Sequence, residues 1–181
     1  MNTDKLLQAC LQGEERAQRR FYDLHKVKMY GLCLRFAASQ TEAEDMLMEG
    51  FYKVFRDLHQ FKGQCPLEAW VRQVMVNSAL MHLRKRNRQL IASTSLDDLT
   101  DDPVTDDNPL ERLNTDAVIA LIQQLPAGFR TVFNLYAIEG YSHKEIGRQL
   151  GISESTSRSQ YARAKKTLQR LIVEHGIVDA R

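Results

Sequence analysis

Residues 150–166 read LGISESTSRSQYARAKK, five hydroxyl residues interleaved with Arg158, Arg163, Lys165 and Lys166. Hydroxyls donate to phosphate oxygens or base edges, and an arginine pairs with guanine in a bidentate way. Ser155, Thr156, Arg158, Ser159, Arg163 and Lys166 are therefore candidate nucleic-acid contacts. A second basic run, Arg84-Lys85-Arg86-Asn87-Arg88, carries four cations, more than a helix C-terminus needs, and reads as a phosphate patch. No catalytic constellation competes with these. His25, His59, His82, His143 and His175 are scattered, without a His-x-x-x-His pair or a cysteine at metal-ligand spacing. Phosphate-binding, nucleophile-elbow and dinucleotide fingerprints are missing too, so neither enzyme activity nor a metal or other cofactor is expected.

The elements that must position the first run are legible around it. Ser142-His143-Lys144-Glu145 is a capping box opening a short helix that stops at Leu150-Gly151. Ser153 can N-cap a second helix over about 154–174. Two helices joined by a short Gly-containing turn are the signature of a helix-turn-helix. On the second helix Ser157, Tyr161, Ala164, Leu168 and Leu171 follow spacings 4, 3, 4, 3 and form its inward stripe. A charged stripe is most often just a solvated face; the capped partner helix and the Ile146–Leu150–Ile152 turn decide for a recognition helix. Upstream, Pro109 and Pro126 each suit the first position of a helix, the second of which Gly140 stops.

The N-terminal half reads as four helices. One spans about 3–12 and another about 14–38; Thr41 and Glu44 form a capping box for a third. That third helix buries Leu47, Phe51, Val54, Leu58 and Phe61. Pro66 opens a fourth, with Leu67, Trp70/Val71, Val74 and Met81 turned inward and the basic run at its end. Phe61 and Trp70 read as core. No period-2 strand is present, so the class is all-α: two small helical domains, residues 1–92 and 110–181, joined by 93–109. The joining segment STSLDDLTDDPVTDDNP has six aspartates and too little apolar content to offset its ordering entropy, which predicts a flexible acidic linker. Net charge is +5 over residues 1–92, −7 over 93–116 and +4 over 117–181, so the basic surfaces lie on the domains. No apolar run approaches the roughly 20 residues of a membrane span, the start lacks signal-peptide order, and Cys10, Cys33 and Cys65 are far apart and odd in number. A cytoplasmic protein without membrane insertion is expected.

Two stretches resemble one family. Residues 125–171 carry Leu125-Pro126, Arg130, Phe133-x-Leu135, Glu139-Gly140-Tyr141-Ser142, Glu145-Ile146 and Leu150-Gly151-Ile152-Ser153. Residues 43–86 carry Ala43-Glu44-Asp45, Glu49-x-Phe51, Phe61-x-Gly63, Trp70, Asn77 and Arg84-Lys85-Arg86. In this order the pair resembles the bacterial extracytoplasmic-function sigma factors. The resemblance implies promoter DNA and core RNA polymerase, through its β′ clamp helices and β flap, as partners, and an anti-sigma factor besides. The C-terminal helix-turn-helix would read the −35 element. The N-terminal domain would melt the −10 element, with Lys62, Gly63 and Gln64 in the base-capturing loop and Asn77, Arg84, Lys85, Arg86 and Arg88 on the displaced strand. Glu42, Asp45, Met48, Glu49, Tyr52 and Arg56 match the face that docks on polymerase, and the linker would thread toward its active-site and RNA-exit channel. Met48, Met81 and Ser157 depart from the family's usual glutamine, acidic residue and valine. The alternative reading is a stand-alone helix-turn-helix regulator.

Overall fold

The computed structural model describes residues 3–86 and 115–175. The chain divides into two compact units on either side of the Arg86–Asn87 bond, and the described residues contain helices and turns but no strand. The predicted linker (93–109), the helix start at Pro109 and Arg88 lie outside the described residues.

The first unit is built from α1 (Thr3–Leu11), α2 (Glu15–Phe36), α3 (Gln40–Asp57) and α4 (Leu67–Arg86), with a 3₁₀ turn at Leu58–Gln60. Helix α1 packs on α2, while α2, α3 and α4 pack against one another. Phe21, Met29, Leu32 and Phe36 of α2 meet Met46, Phe51 and Val54 of α3 and Val71, Met75 and Leu80 of α4 in a buried core. Each such side chain contributes about 1.5–3 kcal/mol on burial. At Gly50 of α3 the space a Cβ would take is filled by the Met75 thioether of α4.

Two sequence expectations are corrected in this unit. The N-cap of α3 is Ser39, not Thr41: its side chain accepts the Glu42 N–H, and the Glu42 carboxylate in turn accepts the Ala38 N–H at 2.7 Å. Ser-x-x-Glu and Thr-x-x-Glu overlap here, and the longer helix wins because it turns Glu42 inward, to 6% exposure. Met81 is exposed, not inward: α4 is enclosed through Val71, Met75, Val76, Ala79, Leu80 and Leu83 instead. The apolar residues of α4 surround much of its circumference, so the pattern admits more than one inward stripe. The stripe assigned to α3 is found, with Phe61 at its half-buried end.

The second unit comprises α5 (Thr115–Gln123), α6 (Ala127–Phe133), α7 (His143–Leu150) and α8 (Glu154–Glu174). Pro126 sits one residue before α6 rather than inside it, and α6 runs on into a π-helical turn, Asn134–Ile138, before Gly140 at φ 77° ends it. Leu121, Ile122, Leu125 and Phe133 pack on Ala164, Leu168, Leu171 and Ile172 of α8. Buried Arg130 ties α6 to the end of α5, its Nη1 donating to the Gln123 carbonyl at 3.0 Å.

Candidate nucleic-acid interface

The α7–α8 pair is set by local chemistry before packing. Ser142 and Glu145 form the complete capping box, and the Glu145 carboxyl, accepting from the Ser142 hydroxyl and N–H, is held below the usual carboxylate range. Gly151 ends α7 in the left-handed conformation, at φ 70°. Gly147 lets the turn fold back, since a Cβ there would lie 2.8 Å from the Ile152 carbonyl oxygen. Ser153 then caps α8, accepting the Thr156 N–H at 2.9 Å.

Ser157, a hydroxyl on the inward stripe, is fully enclosed and needs a partner. It has one: its Oγ lies 2.9 Å from Nδ1 of His143, the first residue of α7. The imidazole stacks on Tyr136 at 4.1 Å between centroids and 8° between planes. Burial first, and then the nearby Arg158 charge, push its pKa below the ordinary histidine value. A hydrogen bond and an aromatic stack thus fix α8 against α7 and the π turn. Gln160 and Lys165 are buried as well, the latter over the Tyr161 ring, so the enclosed face of α8 is wider than the predicted stripe.

Opposite lies the candidate DNA face. Arg158 is exposed and pairs with Glu154 one turn earlier; Lys166 is exposed and Arg163 half-buried. The hydroxyls are differently disposed from the sequence expectation. Those of Ser155 and Thr156 lie 2.8 and 2.7 Å from the Ser153 hydroxyl, and Ser159 donates to the Thr156 carbonyl. They are engaged in or beside the cap, because a short polar side chain in the first turn finds local partners.

In the first unit, residues 62–66 form an exposed loop between Leu58–Gln60 and α4, with Gly63 at φ 70°. Lys62, Gln64 and Cys65 are exposed on it, while Phe61 and Trp70 on either side are half-buried and pack on each other at 5.7 Å. Asn77 is exposed one helical turn beyond Gln73, whose amide donates to it. Arg84 and Lys85 are exposed and Arg86 closes α4, so these residues follow the loop along one helix.

The predicted docking face of α3 is partly rearranged. Asp45, Met48 and Tyr52 are exposed, the last two at 64% and 69%. Glu42 is not on that surface: it is buried, 3.9 Å from His82 of α4. Glu49 is half-buried and 3.3 Å from the same ring. Arg56 makes two 2.7 Å hydrogen bonds to Asp57, which raise its pKa and lower that of the aspartate. Lys53, absent from the sequence-based set, reaches Ser78 at 3.0 Å and the Met81 sulfur at 3.7 Å, and burial lowers its pKa. Its place four residues after Glu49 was the available signal.

Residues 21–89 match the family described as Sigma-70 region 2, and residues 115–168 match Sigma-70, region 4. The ECF RNA polymerase sigma factor SigE of Mycolicibacterium smegmatis is 32% identical over 83% of this chain and 60% of its own length. The chain thus spans less than two thirds of that relative. The RNA polymerase sigma-H factor of Pseudomonas aeruginosa is 27% identical, over 95% of this chain and 96% of its own. Among solved structures, the sigma factor RpoE in complex with the anti-sigma factor NepR, from Bartonella quintana, has a similar fold. Its TM-score is 0.51, with 20% identity over 85% of this chain and 95% of that one.

Proposed function

The chain belongs to the sigma-70 family, with its region 2 and region 4, and on that premise we propose that it is an extracytoplasmic-function sigma factor directing core RNA polymerase to specific promoters. The observation that carries this is the pairing, in one chain, of a region 2 unit with a capped helix-turn-helix whose recognition helix exposes Arg158. A stand-alone regulator needs only the second.

In this reading α8 lies in the major groove of the −35 element. Its N-terminal turn faces the bases through Arg158, and Arg163 and Lys166 meet backbone phosphates. Ser155, Thr156 and Ser159 line the approach and keep the helix close to the groove. Melting falls to the first unit. Extruding a base costs a few kcal/mol, least where single strand is captured as it forms. The loop offers Lys62, the open backbone of Gly63 and Gln64, between the packed Phe61 and Trp70 rings at its two ends. Asn77, Arg84, Lys85, Arg86 and Arg88 hold the displaced strand, and residues 93–109 connect the two functions, their acidic side chains taking nucleic acid's place in the polymerase channel.

Docking on the β′ clamp helices uses Asp45, Met48, Glu49, Tyr52 and Arg56, with Met48 and Tyr52 as the apolar anchors; the second unit meets the β flap. Glu42 orders the start of this surface from beneath. An anti-sigma factor competing for these faces would hold the protein inactive. Work at core polymerase places the protein in the cytoplasm, and no helix among the described residues is long and apolar enough to cross a membrane.

Run-off transcription tests the proposal. Adding the protein to core polymerase on a genomic DNA library should yield discrete start sites sharing an upstream motif. Tight operator binding by the free protein, with no transcription gained on adding it to core enzyme, would refute it.

A further inference from the structure

Glu154 is the first residue of the recognition helix, exposed beside the exposed Arg158 on the DNA face. A helix N-terminus attracts phosphate, and a carboxylate placed there repels it. On a surface that otherwise presents cations, such a residue either weakens binding everywhere or meets a donor on the DNA. The donors a major groove offers are exocyclic amino groups, and a carboxylate accepts from the N4 amino group of cytosine.

We propose that Glu154 is a specificity-determining residue that reads cytosine in the upstream promoter element, acting as a pair with Arg158. This rests on the promoter-binding reading above. The two side chains are already coupled, Nη2 of Arg158 donating to Oε1 of Glu154. A guanidinium has five N–H donors, so this bond leaves others free to take N7 and O6 of a guanine. The carboxylate keeps acceptor capacity on its second oxygen for an amino group. One helical turn, about 5.4 Å, separates the two residues, and base pairs are stacked about 3.4 Å apart. The guanine and the cytosine are therefore one or two base pairs apart.

The neighbouring side chains leave this role to the pair. The hydroxyls of Ser155 and Thr156 lie against that of Ser153, Ser159 bonds the backbone and Ser157 is buried against His143, so the start of α8 presents Glu154 and Arg158 as its exposed side chains outside the cap. The His143 ring approaches from α7; its pKa is lowered chiefly by burial and then by Arg158, while Glu154 acts the other way. The carboxylate thus also partly neutralises Arg158 before DNA arrives, which lowers affinity for non-cognate duplex.

The test is start-site sequencing with reconstituted holoenzyme on a promoter library randomised across the upstream element, for the wild type, Glu154→Gln, Glu154→Ala and Arg158→Ala. The wild type should select cytosine within two base pairs of the guanine that Arg158→Ala ceases to select. Glu154→Ala should lose that cytosine preference on the order of tenfold, and Glu154→Gln should turn it toward adenine, which a glutamine amide pairs in a bidentate way. An unchanged base profile in both Glu154 variants, or a uniform fall in transcripts with the same preferences, overturns the proposal while leaving the sigma-factor reading standing. A wild type that selects no upstream motif overturns both.

Discussion

Replacing Ser157 by alanine removes the hydroxyl that meets His143 Nδ1 at 2.9 Å. A neutral hydrogen bond contributes about 0.5–1.5 kcal/mol, whereas a buried partner left unpaired costs about 1–3 kcal/mol. Here the fully enclosed partner is the one deleted, and His143 keeps an edge to solvent where water can replace the lost bond. The lower range therefore applies, about 1 kcal/mol. Ser157→Val restores the family's aliphatic residue. It regains about 0.8 kcal/mol for each added buried methyl-sized group, so it should stay within about 1 kcal/mol of wild type. The assay is native-state amide exchange in α7 and α8 of the full chain, where a loss of 1 kcal/mol appears as roughly fivefold faster exchange.

A double-mutant cycle of Ser157→Ala with His143→Ala isolates the bond. Coupling of about 1 kcal/mol is expected; additivity within about 0.3–0.5 kcal/mol would refute the claim that this pair fixes the recognition helix. The half-buried His143 ring has a pH signature of its own. Since the folded-state pKa of His143 is lowered, chiefly by burial and then by Arg158, the unfolded chain binds a proton more readily. Stability is then fully present above the unfolded histidine value, about 6.5, falls as pH drops from there through the folded value, and flattens below. Protection of α8, corrected for intrinsic exchange, should follow that course in the wild type and lose this component in His143→Ala.

Arg158→Ala should relax promoter discrimination at one base pair by about 1–3 kcal/mol; an equal loss on all sequences, with a shallower salt dependence of holoenzyme binding, would make Arg158 a phosphate contact. Tyr52→Ala and Met48→Ala should each weaken core-polymerase binding by about 1–2 kcal/mol, as truncation of exposed apolar anchors does, while thermal unfolding of the free protein changes little. Gly147→Ala should destabilise the helix-turn-helix by more than 1 kcal/mol in the α7 exchange assay, because its Cβ would meet backbone at Ile152, which has no rotamer by which to move away.

The elements of the second unit were legible because their signals are local. Ser142 with Glu145, Gly151 and Ser153 each decide a boundary within a few residues of themselves, and α8 begins and ends as expected. The errors fall where tertiary packing arbitrates between equal local options. Ser39 and Thr41 both precede a glutamate by three residues, and only the enclosure of Glu42 near His82 selects the first. On α4, apolar residues occur in several registers, and contact with α2 and α3 chooses Leu80 and Leu83 over Met81. The π turn after Phe133 has no sequence signature at all.

The candidate site shows the same division in chemical form. That residues 153–163 form a candidate nucleic-acid face was readable from residue types, because hydroxyls and arginines on an exposed helix suit phosphate oxygens and base edges. Which atom does what was not, since a serine in the first turn of a helix serves the cap and the groove equally well. Once Ser153, Ser155 and Thr156 are drawn together over the end of α8, and Ser157 is committed to His143, the hydroxyls account for the helix's placement. In the proposed reading, base selection then falls to the charged side chains one turn apart. The abundance of poor helix formers in this segment follows from that arrangement: a recognition helix standing on a tight glycine turn needs its first turn held from several sides, and short hydroxyls do this without filling the groove.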